Sequence, residues 1–91
     1  MKFIYEKTKL RLVNEENDED FGFISFETKD DVIIIISTVI NEKYQGKGMA
    51  SALINELLEY AKNNNLKVKP LCSFVIHYIE KHPEYKEFII N

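Results

Sequence analysis

The amino-acid sequence predicts a mixed α/β (α+β) domain built on one sheet, in the order β-β-β-α-β-α. The first three strands run antiparallel, and the third and fourth run parallel. Three observations carry this. In the N-terminal half the apolar residues alternate with polar ones or form a β-branched run, as strands do. After Lys47 they recur at helical spacing. At 91 residues the chain has room for one core, so residues 1–91 read as a single domain.

The elements follow in order. Thr8 to Val13 alternates polar and apolar residues, as a strand with one solvated face should. Asn14 to Asp20 is a polar, acidic stretch and reads as a solvated connection; steering a cationic ligand is the alternative reading. Phe21 to Thr28 alternates again, with Gly22 marking a bulge or a close backbone approach. Lys29-Asp30-Asp31 supplies the turn to Val32–Ile36, a continuous β-branched run that predicts a central strand covered on both faces. From Lys47 to about Asn63, Ala50, Leu53, Ile54, Leu57, Leu58 and Ala61 form one apolar stripe, and Asn63-Asn64-Asn65 stops the helix. Leu66 to Leu71 is a short fourth strand. Ser73 to His82 is a second helix closed by Pro83, and Tyr85 to Ile90 is apolar enough to dock on the body. A strand, a crossover helix and a further strand place the two strands parallel and adjacent. The segment after the third strand and the Leu71-Cys72 end of the fourth therefore meet at one sheet edge, where ligands of open α/β sheets bind.

Composition narrows the function classes. Hydrophobic residues at 45% and charged residues at 30% exclude a disordered chain. A net charge of −3 offers no wide footprint for nucleic acid. One cysteine excludes an internal disulfide and a four-cysteine zinc site. The first residues carry no signal-peptide pattern, and the longest apolar run, Val32–Ile36, is far short of the ~20 residues of a membrane helix. The expectation is a cytoplasmic protein with no membrane partner and Cys72 as a free thiol. Oligomeric state is left open.

Two of the three glycines, Gly46 and Gly48, sit one residue apart in Tyr44-Gln45-Gly46-Lys47-Gly48-Met49-Ala50, between a strand and a helix. Glycines there let the backbone approach a ligand, and the first amides of the helix point outward without partners. Such a turn suits an anion, with Lys43 and Lys47 at its rim. An ordinary tight turn with solvated lysines is the other reading. Two phosphate motifs are excluded. The Walker pattern fails because Gly48 follows Lys47 and Asn41 stands at the earlier glycine position; the dinucleotide fingerprint fails because Ser51 stands where its third glycine belongs.

Gln45-Gly46-Lys47-Gly48-Met49-Ala50 resembles the acyl-CoA signature of the GNAT acetyltransferase superfamily, Q/R-x-x-G-x-G/A, with Gln45, Gly48 and Ala50 at its defined positions. Pro70-Leu71-Cys72-Ser73-Phe74, then Tyr78 and His82-Pro83-Glu84-Tyr85, resemble a subgroup of short single-domain members. The resemblance spans roughly Thr8 to Tyr85 and implies a minimal GNAT fold. It also implies acetyl-CoA as cofactor, with the pyrophosphate on Gln45 to Ala50 and the pantetheine arm along Thr38, Val39 and Ile40. The thioester would lie between that strand and Leu71-Cys72, with Phe74 at the same site. Where the subgroup commonly carries a histidine on the third strand, this chain has Ser37.

The catalytic candidates are Cys72 and Tyr78. A helix N-terminus stabilises a thiolate, so Cys72 could accept the acetyl group before passing it on; packing is the alternative. Tyr78, one turn after Phe74, could protonate the departing coenzyme A thiolate, or it could pack in the core. His82 reads as a helix-end cap, and His77 and Glu42 as solvated groups. The expected function is transfer of acetyl from acetyl-CoA to an unidentified amine, small molecule or protein, directly or through Cys72. The alternative is a non-catalytic acyl-CoA sensor or interaction module.

Overall fold

The computed structural model describes residues 1–90. Five strands and two helices follow one another as β1 (Lys2–Tyr5), β2 (Lys9–Val13), β3 (Asp20–Lys29), β4 (Val32–Ile40), α1 (Met49–Asn63), β5 (Lys67–Pro70) and α2 (Ser73–Lys81). A 3-10 turn, Glu42–Tyr44, precedes α1, and a second, Pro83–Phe88, follows α2. The sheet order is β1-β2-β3-β4-β5, antiparallel except for the parallel pair β4 and β5.

The expected mixed topology is present with one strand more than the sequence predicts. β1 pairs along its length with β2, from Lys2 opposite Val13 to Tyr5 opposite Leu10. Its Tyr5 phenol donates to Glu56 on α1 at 2.7 Å, and its ring lies 5.0 Å from that of Tyr60.

The third predicted strand is also corrected. It runs on to Ile40, and only alternate members of its apolar run are sealed: Ile33 and Ile35 are fully buried while Ile36 is 45% exposed. The cause is the pleat, which sends alternate side chains to opposite faces. A bulge follows at Ile36, the extra residue where Ser25 faces Ser37 but Phe26 faces Ile35. A second irregularity sits between Leu12 and Val13, which face Gly22 and Asp20. It leaves Phe21 unpaired and lets both Phe21 and Phe26 enter the core. Gly22 is a close approach, as expected. A Cβ there would lie 2.5 Å from the Val39 carbonyl oxygen.

One apolar cluster joins Leu10, Ile24, Ile33 and Ile35 of the sheet with Leu53, Leu57 and Leu58 of α1 and Val75 and Ile79 of α2. No polar or charged side chain is buried among the described residues. The tail docks through Tyr85, whose hydroxyl donates to Glu59 at 2.7 Å and accepts from Asn55 at 2.8 Å. Asn65 closes α1 at φ 57°, the left-handed conformation that asparagine tolerates.

Candidate active site

β5 leaves β4 early. Their register ends with Ile35 opposite Pro70, and the last bond runs from the Leu71 amide to the Ile35 carbonyl at 2.9 Å. β4 continues to Ile40 without a neighbour on that side. Peptide groups along a strand face alternate edges. The Asn41 amide donates to Phe21 of β3 at 2.9 Å, so the peptide groups of Val39 also face β3. Those of Thr38 and Ile40 face the gap that β5 has vacated. The Gln45 side chain folds back to that edge and donates to the Ile40 carbonyl at 3.3 Å.

The glycine turn follows. Gly46 and Gly48 have φ of 77° and 82°, and nothing lies within 4 Å of where a Cβ would project. Their requirement is conformational: an L side chain is strained there whatever the space. Gly48 caps α1 without any side-chain bond to the helix. The amides of Met49, Ala50 and Ser51 therefore lack both an intrahelical partner and a side-chain cap.

Turn, helix start and free edge enclose one depression of about 420 Å³. Of the predicted residues, Thr38, Ile40, Gln45, Gly46, Gly48, Met49, Ala50 and Phe74 line it. Val39, Lys47, Cys72 and Tyr78 do not. Lys47 is exposed on the turn, and the Val39 side chain lies on the opposite face of the sheet, in a depression with Arg11, Asp20 and Phe23. Tyr44 and Ser51 line the site without having been predicted. Ser51 is the third residue of α1, and its hydroxyl gives no pattern to read; Tyr44 is placed by a contact with Phe21, whose rings meet edge-on at 4.5 Å.

Cys72 stands at the mouth of the gap as the N-cap of α2, with Sγ 3.7 Å from the Thr38 hydroxyl. Burial works against ionisation of the thiol. Hydrogen bonds from the Val75 and Phe74 amides and from Thr38 outweigh it and bring the thiol below its ordinary range.

The other candidates stand apart. Tyr78 stacks on His82 at 4.0 Å, lies beside Tyr85, and is not among the residues lining the depression. His82 caps α2, its Nδ1 donating to the Tyr78 carbonyl at 2.8 Å. His77 is exposed and faces Glu80 at 3.3 Å. Ser37 shares a 2.6 Å hydroxyl bond with Ser25. Glu42 is exposed in the 3-10 turn. Lys43 turns to Glu19 at 2.8 Å, and the acidic stretch is tied down further by Met1–Glu15, Lys2–Asp18 and Arg11–Asp20 pairs.

A vacated strand edge runs into an uncapped, glycine-led helix, and the two border the same depression. The family profile of the GCN5-related N-acetyltransferases matches residues 9–88, and the chain belongs to that family. Membership makes acetyl-CoA its cosubstrate. The solution structure of a GCN5-like candidate N-acetyltransferase from Staphylococcus aureus superposes with a TM-score of 0.75 at 25% identity, covering 99% of this chain and 88% of that one. A candidate streptothricin acetyltransferase from Bacillus anthracis, crystallised with acetyl coenzyme A, shares the fold at a TM-score of 0.52 and 19% identity, over 72% of this chain and 39% of that one. No curated protein matches the sequence. Among the described residues no helix is long and apolar enough to cross a membrane.

Proposed function

We propose that the chain is an acetyltransferase that holds acetyl-CoA along β4 and the glycine turn, and that Cys72 carries the acetyl group to an amine. The supporting observation is convergence: the free edge at Thr38 and Ile40, the uncapped start of α1 and the Cys72 thiol border one gap in the sheet. In this reading Gln45 to Ala50 hold the pyrophosphate. The glycines leave the backbone open to it, the amides of Met49 and Ala50 and the positive helix end face it, and Lys47 adds charge. Thr38 and Ile40 turn their peptide groups to the pantetheine arm, Val39 between them faces away, and Phe74 forms an apolar wall.

The thiolate of Cys72 attacks the carbonyl carbon of the thioester. A bond from Sγ to the acetyl carbon forms, the bond from that carbon to the coenzyme A sulfur breaks, and coenzyme A leaves as a thiolate that takes a proton from water. A neutral amine then attacks the acetyl-cysteine. Its nitrogen bonds the acetyl carbon, the bond to Sγ breaks, and Cys72 is restored as a thiol with the proton the amine gives up. Thr38 steadies the thiolate by hydrogen bond in the resting state. Tyr78 has no step in this scheme, because its ring is committed to His82.

A second reading, binding without catalysis, is favoured by the Ser25–Ser37 hydroxyl pair, which stands where a histidine base would. Intact mass after incubation with acetyl-CoA separates the two. The transfer reading expects a gain of roughly 42 daltons that is absent in Cys72→Ala and is lost on adding an acceptor amine. A raised melting temperature without adduct or coenzyme A release leaves binding alone.

A further inference from the structure

We propose that Glu19 is a specificity-determining residue of the cofactor turn: by pairing with Lys43 beside Tyr44, it withholds one positive charge from the anion the turn binds. This rests on the reading that the turn takes the pyrophosphate. Glu19 is fixed at the end of the β2–β3 connection, its amide donating to Asn17 Oδ1 at 2.9 Å and its carbonyl accepting from the Asn14 amide at 2.9 Å. Its carboxylate then crosses to the 3-10 turn, where it accepts from the Tyr44 phenol and meets Lys43 Nζ at 2.8 Å. Asn41 ties the same two segments together, accepting from the Lys43 amide at 3.3 Å and donating to the Asp20 carbonyl at 3.2 Å.

Tyr44 lines the depression, and Lys43 Nζ lies 5.5 Å from its ring centroid. Lys43 is thus at the rim of the site but already neutralised, whereas Lys47 has no ion-pair partner among the described residues. With the Lys43 side chain 64% exposed, the pair adds little to stability. What Glu19 determines is where charge sits. Acetyl-CoA carries phosphates, and S-acetylpantetheine presents the same thioester arm without any. The pairing therefore sets how strongly the turn prefers the first to the second.

Calorimetric titration of both compounds at low and high salt tests this. Glu19→Gln keeps an acceptor for Tyr44 but frees Lys43. It should tighten acetyl-CoA about three-fold and steepen its salt dependence while leaving S-acetylpantetheine unchanged. Lys43→Met bares the Glu19 carboxylate and should weaken acetyl-CoA while leaving S-acetylpantetheine unchanged; combined with Glu19→Gln it should abolish the gain and return the wild-type affinity and salt slope. A merely structural Glu19 would weaken both compounds together, and that result overturns the proposal. So does a gain that survives in the double variant. If Glu19→Gln does not fold, Lys43→Met alone decides: acetyl-CoA affinity and salt slope equal to those of the wild type mean that the pair does not set the charge at the turn, and the proposal falls. A wild type that binds acetyl-CoA no better than S-acetylpantetheine sinks the pyrophosphate reading and this one with it; a wild type with that preference, unaltered by Glu19→Gln, sinks this one alone.

Discussion

Cys72 joins two properties that usually exclude one another, partial burial and a depressed pKa. The hydrogen bonds from Val75, Phe74 and Thr38 supply the difference. Because the ionised form is the one favoured, a larger share of this thiol is thiolate at pH 7 than for a free cysteine of pKa about 8.5. The rate of alkylation by iodoacetamide should therefore rise with a midpoint below about 8.5. Thr38→Val removes one of the stabilising partners and should move that midpoint up. A midpoint at the free-cysteine value in both proteins would show that the Thr38 contact does nothing for the thiol. Gly22 makes the opposite kind of demand, for space. Gly22→Ala puts a methyl 2.5 Å from the Val39 carbonyl, a backbone atom that cannot swing away, so β3 and β4 must separate. The expected cost is about 1–3 kcal/mol in urea unfolding, with weaker acetyl-CoA binding because Thr38 and Ile40 move as well.

The elements show where sequence reading works and where it stops. The long β3 alternation, the helical stripe of α1 and the glycine turn are local patterns, and they are legible because each is set by residues within a few positions of one another. β1 is not of that kind. Four residues at the sheet edge, KFIY, carry too little pattern to stand out, and what settles them is pairing with β2 and the reach of Tyr5 to Glu56 and Tyr60, more than fifty positions on. The coverage of β4 fails for a related reason: the run Val32–Ile36 is uniformly apolar, so nothing in it announces that Ile36 points outward. The site followed the same division. Gln45 to Ala50 were visible as a motif, whereas Tyr44 and Glu19 meet only because β3 returns the acidic stretch to the end of β4. If β1 is held chiefly through Tyr5, then Tyr5→Phe should cost about 1 kcal/mol. Thermal unfolding should register that loss while the affinity for acetyl-CoA stays at the wild-type value, since β1 borders no part of the depression. A changed affinity would tie β1 to the site.

At the scale of the whole molecule, a single core serves both the sheet and the site. Leu57 is fully buried and joins α1 to the sheet in the same cluster that holds Ile33 and Ile35 below the free strand edge. Leu57→Ala should cost about 2–5 kcal/mol, a large part of the roughly 5–15 kcal/mol that holds a domain together, and should lower the melting temperature by at least about 8 °C. Leu57 is also eight residues into α1 from Met49, about 12 Å along the helix axis, and it does not line the depression. Perturbations separated in this way add. Acetyl-CoA at a hundred times its Kd should therefore return about 2.7 kcal/mol to the variant and to the wild type alike. Scanning calorimetry of both proteins, with and without ligand, measures the two increments. Equal increments mean that the free edge and the glycine turn are held by their own local geometry, above a core that only supports them. A smaller increment in Leu57→Ala would mean that core packing sets the width of the gap between β4 and β5, and that the site and the stability of the fold are coupled through α1.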